Sequence, residues 1–334
     1  MKFFGKTLSV LLVFIGATLF INSCKPKKEN KKIDANSEEA LTQALKEDST
    51  NAALYYQRSQ IYFSKNNLGA AVQDIDRAVN LDSTKADYFL HKSNVYFALN
   101  RSSVTKKCLE KAIALDTTFT EAILKLAELY LYVDKNQESI NLINKALRVD
   151  KKISKAYFIK AINQLQLRDT AGAVSNLKTC IEVDQDYYHA YVQLANLYSE
   201  RNNPLALQYY QTALNLNPKS DEVYYGIAMF QLNNNNSEEA AKNLNMAVSI
   251  NPQNSDAQYG LGFIACEYTK KYPEAVTFFD NAIQADKTNI KAIYMKALCF
   301  ERMKDKSNAI RYYKEALSIN PMYEKAKAGL QRVS

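Results

Sequence analysis

Residues 52–85 read AALYYQRSQIYFSKNNLGAAVQDIDRAVNLDSTK, and residues 86–119 read ADYFLHKSNVYFALNRSSVTKKCLEKAIALDTTF. Laid one over the other, these stretches of 34 residues put small residues in the same three slots: Ser59 and Ser93, Ala71 and Thr105, Ala78 and Ala112. Tyr62 and Tyr96 share a fourth slot, Ile75 and Leu109 a fifth. Small side chains at fixed places let two helices approach closely, and large ones fill the gaps beside them. Each stretch therefore specifies a pair of helices. Asp82 and Asp116 mark where the second helix stops, because aspartate favours turns and caps over helix interiors.

The register continues down the chain. The first slot holds Ala127, Ala161, Ala195, Ala228, Gly262 and Ala297. The second holds Ser139, Ala173, Ala206, Ala240, Ala275 and Ala309, and the third Ala146, Cys180, Ala213, Ala247, Ala282 and Ala316. The spacing departs from 34 by one or two residues only around Pro204 and Tyr272-Pro273. Asp150, Asp184, Asn217, Asn251, Asp286 and Asn320 close the later repeats, and Pro218, Pro252 and Pro321 follow three of them, a common helix stop. Complete repeats start near residues 52, 86, 120, 154, 188, 221, 255 and 290. Residues 37–50 match a second helix without its first, and 324–334 a first helix without its second.

This pattern resembles the tetratricopeptide repeat family. The three slots match the family's small residues at repeat positions 8, 20 and 27, and Tyr62, Tyr96, Tyr130 and Tyr198 match its tyrosine at position 11. The tryptophan frequent at position 4 is absent; Tyr55, Phe89, Ile123 and Tyr157 stand there in the first four repeats. The resemblance implies an all-α fold, a right-handed α–α superhelix (solenoid) of about eight repeats. It would fill residues 37–334, with eight full repeats from 52 to 323 and a half-repeat at each end. Each repeat of such an array buries its apolar face only against its neighbours.

Composition narrows the function. Eight glycines and six prolines make about 4% of 334 residues, against a usual ~12%, too few for the turns of a sandwich or barrel. Two histidines and five scattered cysteines offer little to metal or nucleophilic chemistry. No G-x-S-x-G, H-E-x-x-H or Walker-type loop occurs, so neither an enzyme nor a cofactor is expected. His91 and His189 read as surface or groove residues. Cys180 occupies an alanine slot and reads as packing. Cys266 and Cys299 fall on the first helices of adjacent repeats, where a disulfide stays open in an oxidising compartment.

The N-terminus reads as an address. Residues 1–23 have Lys2 and Lys6 ahead of an uncharged, mostly apolar run from 8 to 21, shorter than the ~20 residues of a membrane span. Ile21-Asn22-Ser23-Cys24 resembles a bacterial lipobox, which implies removal of the signal peptide and lipidation, palmitate included, at Cys24. Ordinary cleavage near Ser23 and an uncleaved anchor are the alternatives. Residues 24–36 form a lysine-rich tether, and residues 25–32 offer nothing apolar to fold around. By resemblance to the known sorting scheme, Lys25 in place of a retaining aspartate points to the outer membrane, with the face left open. Residues 287–334 carry eleven basic and four acidic side chains, a solvated cap or a surface for an acidic partner.

In the resembled family the first helix of each repeat lines the concave face. Repeat positions 5, 9 and 12 then imply a partner-binding groove that includes Tyr56, Gln60, Phe63, Asn94, Phe97, Glu128, Phe158, Asn196, Tyr225, Tyr259 and Tyr294. Amides there would serve the unpaired backbone of an extended peptide, and aromatic rings would anchor it. The expectation is a lipid-anchored, non-catalytic scaffold that binds a protein or peptide in an envelope assembly, without nucleic acid. The alternative is an outer-membrane receptor for a carbohydrate or small ligand, to which the 23 tyrosines offer stacking surfaces.

Overall fold

A computed structural model describes residues 37–334; the expected signal peptide and tether, with Cys24, lie outside them. The described residues form eighteen α-helices and no strand. Helix α1 (Glu38–Glu47) stands alone at the start. Eight antiparallel pairs follow. The first four are α2 (Ala52–Ser64) with α3 (Leu68–Leu81), α4 (Ala86–Ala98) with α5 (Ser102–Leu115), α6 (Thr120–Tyr132) with α7 (Asn136–Val149), and α8 (Ser154–Gln166) with α9 (Thr170–Val183). The last four are α10 (Tyr188–Glu200) with α11 (Leu205–Leu216), α12 (Asp221–Asn233) with α13 (Ser237–Ile250), α14 (Ser255–Glu267) with α15 (Tyr272–Ala285), and α16 (Ile290–Arg302) with α17 (Lys306–Ile319). Helix α18 (Glu324–Val333) closes the stack. Among the described residues no helix is long and apolar enough to cross a membrane.

The turns repeat as faithfully as the helices. Inside every pair one residue takes positive φ: Asn66, Asn100, Asp134, Arg168, Asn202, Asn235, Lys270 and Lys304, between 51° and 63°. In most of them the next N–H reaches back to the last turn of the first helix, as in Asn67 N to Tyr62 O at 2.8 Å and Asp305 N to Phe300 O at 2.9 Å. These bonds satisfy carbonyls that the helix end would leave unpaired. Second helices end on Asp or Asn for a local reason. Asp82, Asp116 and Asp286 each accept from the N–H and hydroxyl of the threonine two residues on, at 2.6–2.9 Å.

Packing follows the small-residue slots. Ala71, Ala78, Ala112, Ala146, Ala195 and Ala282 have no exposed surface. Where a slot holds serine, its hydroxyl is satisfied by the backbone: Ser59 Oγ donates to Ala71 O and Ser139 Oγ to Ala127 O, both at 2.8 Å. Cys180 is wholly buried in its alanine slot. Successive repeats are also tied by polar pairs reaching sixteen residues back. These are Arg58 to Thr42 at 3.1 Å, Lys92 to Asp76 at 2.8 Å, Lys160 to Asn144 at 2.9 Å, and Lys296 to Asp280.

His91 corrects a sequence expectation. It is neither on the surface nor in the open groove but buried, with 7% of its surface exposed. Its ring meets Tyr56 and Phe63 edge-on at 5.6 and 5.7 Å, and Nε2 lies 2.9 Å from Ser59 Oγ. The space between two groove aromatics and a serine slot suits an imidazole better than solvent does. That burial pushes its pKa down to about 4, so the ring is neutral near pH 7. His189 does stay exposed, 5.2 Å from the Tyr188 ring.

Candidate functional groove

The curvature decides which face is the groove. First helices of successive repeats approach one another, as α2 with α4, α6 with α8, α10 with α12 and α14 with α16. Second helices show no comparable approach. The first helices therefore lie on the inside of the bend.

Along that inside run half-buried rings. Tyr56 stacks on Tyr88 with centroids 4.7 Å apart. Phe158 sits 5.2 Å from Tyr187, Tyr259 lies 6.4 Å from Phe263, and Tyr294 meets Tyr323 edge-on at 5.6 Å. Burial raises the hydroxyl pKa of Tyr225 and Tyr259, so both stay protonated donors at any ordinary pH. Tyr56, Phe158, Tyr225, Tyr259 and Tyr294 are each partly buried, so packing sets their conformation before binding.

The polar candidates divide. Asn94 is partly exposed, and its side chain makes no hydrogen bond among the described residues. Gln60 is exposed and interacts with the Tyr56 hydroxyl. Asn196 is already engaged: its Oδ1 accepts from the buried Tyr210 hydroxyl at 2.7 Å. Glu128 is ion-paired with Lys155 at 2.8 Å, both partly exposed. Of the four, Asn94 and Gln60 have the most free hydrogen-bonding capacity.

Phe97, one of the expected groove residues, is 49% exposed near the end of α4. The structure adds residues the pattern did not single out. Leu99, Val133 and Leu167, just past the ends of α4, α6 and α8, are 37%, 48% and 50% exposed. The same place carries Lys65 in the first pair and Arg201 in the fifth. An apolar residue directly before the positive-φ turn was the available signal. Tyr88, Tyr187 and Tyr323 were likewise missed, because they lie outside positions 5, 9 and 12.

A cleft of about 710 Å³ opens away from these candidates, between α11, α12 and α13, lined by Leu207, Gln211, Leu214, Pro218, Tyr224 and Asn243 among others. Helix α11 is two residues shorter than the other second helices of the pairs, and the gap lies beside it. No groove candidate lines it. Part of the basic C-terminal end is paired from within. Arg332 makes two bonds to Glu301 at 2.8 and 2.9 Å, Arg302 pairs with Glu267 at 2.8 Å, and Lys306 donates to Ser334 O at 3.0 Å.

Comparison with known proteins agrees with the fold. Family models described as tetratricopeptide repeat match residues 52–85, 202–265 and 290–321. A solved chain of the APC/C hetero-tetramer Cut9–Hcn1 is similar at TM-score 0.57 and 16% identity, over 89% of this chain and 58% of that one. A tetratricopeptide repeat protein from Parabacteroides merdae is similar at TM-score 0.55 and 17% identity, over 74% of this chain and 98% of its own. In sequence, anaphase-promoting complex subunit 3 of Schizosaccharomyces pombe is 24% identical over 155 residues, 46% of this chain and 23% of the relative. The chain spans about a quarter to a third of the length of the curated relatives it matches. At these identities the likeness carries the fold and not a partner.

Proposed function

We propose that this chain of tetratricopeptide repeats is a non-catalytic scaffold that holds a protein partner, through an extended segment, along the inside of its bend. Repeats of this type form protein-binding scaffolds, and no enzyme family is indicated. One observation carries the reading: pre-packed, half-exposed rings recur along the first helices, with Asn94 free one turn before the exposed Phe97 on α4. Rings supply affinity at low cost in side-chain entropy, and a free amide pairs with a peptide backbone without demanding a sequence. The envelope address belongs to the same proposal. Its support is the lipobox-like Ile21–Cys24 and the lysine-rich residues that follow.

The test is crosslinking and affinity capture from intact cell envelopes, with full-length chain as bait. Phe97→Ala with Asn94→Ala should weaken partner capture by more than ~1 kcal/mol while melting stays nearly unchanged. Asn196 is left out, since its loss would orphan the Tyr210 hydroxyl. Met246→Ala, an exposed residue of the second helix α13, is the control. Cys24→Ser should move the bait from the membrane to the soluble fraction. Capture that survives the groove pair and fails with Met246→Ala overturns the groove. Recovery of glycan alone supports the receptor reading instead.

A further inference from the structure

Two thiols meet where nothing in the scaffold reading needs them. Cys266 lies on α14 in repeat seven and Cys299 on α16 in repeat eight, and neither has exposed surface. Their sulfurs are 3.2 Å apart, with the Cys299 thiol donating to Cys266 Sγ. Arg302 Nη1 also stands 3.2 Å from Cys266 Sγ and donates at the same distance to Cys266 O. Glu267 holds that guanidinium from the other side at 2.8 Å, and its carboxylate lies 3.8 Å from Cys266 Sγ.

The arrangement is asymmetric. The Cys299 hydrogen bond, and then the Arg302 charge, favour the Cys266 thiolate and lower its pKa, against burial and Glu267. Cys299, the donor, is held protonated, its pKa raised first by the bond to Cys266 and then by burial. A thiolate beside a cation, with a second thiol in contact, is the pattern of an attacking and a resolving cysteine. Cys108 and Cys180 supply the contrast inside the same chain: both are buried, burial raises both, and neither has a second sulfur beside it.

One partly exposed side chain, Arg302, separates Cys266 from solvent. Cys266 sits one residue before the end of α14, beneath the Arg302–Glu267 pair, whose side chains are 29% and 28% exposed. The following connection, Tyr268 to Lys271, is one residue longer than in most pairs. Its N–H groups bond back irregularly, Thr269 N to Ile264 O and Lys271 N to Ala265 O, which leaves the Cys266 carbonyl to Arg302.

We propose that Cys266 and Cys299 are a peroxide-oxidised pair whose disulfide staples repeat seven to repeat eight, with Arg302 as positioning residue. The Cys266 thiolate attacks one oxygen of the peroxide. The O–O bond breaks, hydroxide leaves, and Cys266 becomes a sulfenic acid. The Cys299 sulfur then attacks Cys266 Sγ and gives up its proton, the S–OH bond breaks, and water leaves. With hydrogen peroxide the balance is two thiols and one peroxide to one disulfide and two waters. The bond closes a loop between residues 266 and 299 and ties two first helices that carry Tyr259, Phe263 and Tyr294 on the groove side.

The experiment takes the full chain, reduced and freed of reductant, and adds hydrogen peroxide while peptides are mapped by mass. The Cys266–Cys299 cross-link should form at least tenfold faster than any oxidation of Cys108 or Cys180. The chain should lose the mass of two hydrogens and regain it with dithiothreitol, and its melting temperature should rise and fall in step. In Cys299→Ser, dimedone should trap Cys266 as the sulfenic acid. Arg302→Met should slow the cross-link several-fold at neutral pH and less at high pH, where the thiolate forms unaided. Circular dichroism of each variant separates slow chemistry from lost fold. Equal oxidation of Cys108, Cys180, Cys266 and Cys299 overturns the proposal. So does a Cys266 that passes to sulfinic acid while Cys299 stays free, or an intact chain inert to peroxide.

Discussion

The first four repeats and the last four share a backbone register but fill it with different chemistry. Through residue 187 the interior slots take polar groups: Ser59, Asp74, His91, Ser93, Ser139 and Asn163 are all buried. Beyond residue 220 buried Gln258 and Lys296 remain, but rings set into glycine sockets appear. A Cβ on Gly226 would come within 2.6 Å of the Tyr210 hydroxyl, and one on Gly262 within 2.7 Å of the Phe279 ring. Gly329 stands in the same relation to Tyr313. Both fillings satisfy the helix spacing, but they fail differently. A polar slot needs a partner for every donor and acceptor, and Asn163 Oδ1, buried, has none. A socket needs only matched volume.

The contrast breaks most easily with acid. His91 is buried and neutral, with a folded-state pKa of about 4, against ~6.5 in the unfolded chain. The unfolded state therefore binds the proton first. The stabilisation is fully present above pH 6.5 and is lost as pH falls towards 4. The expected loss is about 3 kcal/mol over that window. Hydrogen exchange should show α2 to α5 opening first, because no buried histidine lies in the later repeats. His91→Gln keeps a partner for Ser59 and should flatten the profile. A profile unchanged by that substitution removes the histidine from the account.

The socket half should break by volume instead. Gly226→Ala is expected to lower stability by ~1–3 kcal/mol, more than the helix propensity it gains. Adding Tyr210→Leu should recover most of it, since Leu177 fills the equivalent slot where the next repeat has Gln193 in place of the glycine, and is wholly buried. Chemical denaturation of the two single variants and the double decides the matter. A double variant no better than the sum of its parts means that ring and glycine are not a pair.

These two cases also mark how far the sequence could be read. The period, the helix pairs and the all-α solenoid were legible because each small residue at a helix crossing recurs in the same slot. The inside face was legible only as what the resemblance implied. What the slots do to one another was not. Gly226 and Tyr210 lie sixteen residues apart in different repeats, and neither is unusual alone. Asn196 looked free because its partner, Tyr210, approaches from a second helix. His91 gave no sign of burial, as its cavity is built by Tyr56 and Phe63 of the preceding repeat. Periodicity reports what repeats share, and these contacts are where repeats differ.

The smallest effect gives the control. Both halves use the same left-handed turn inside each pair, and neither uses glycine there. Arg168 at φ 63° and Lys304 at φ 62° carry a Cβ in a region that costs L-residues roughly 1 kcal/mol. Asparagine tolerates this conformation better, so Asn66 and Asn202 carry less of the penalty. Arg168→Gly and Lys304→Gly should therefore each raise stability by ~0.5–1 kcal/mol, the relief being partly offset by the freer unfolded chain. Asn66→Gly should gain only a few tenths. Equal gains at Arg168 and Lys304, one in each half, would confine the difference between halves to their interiors. Unequal gains would mean that the turns, too, have adapted to the chemistry packed beneath them.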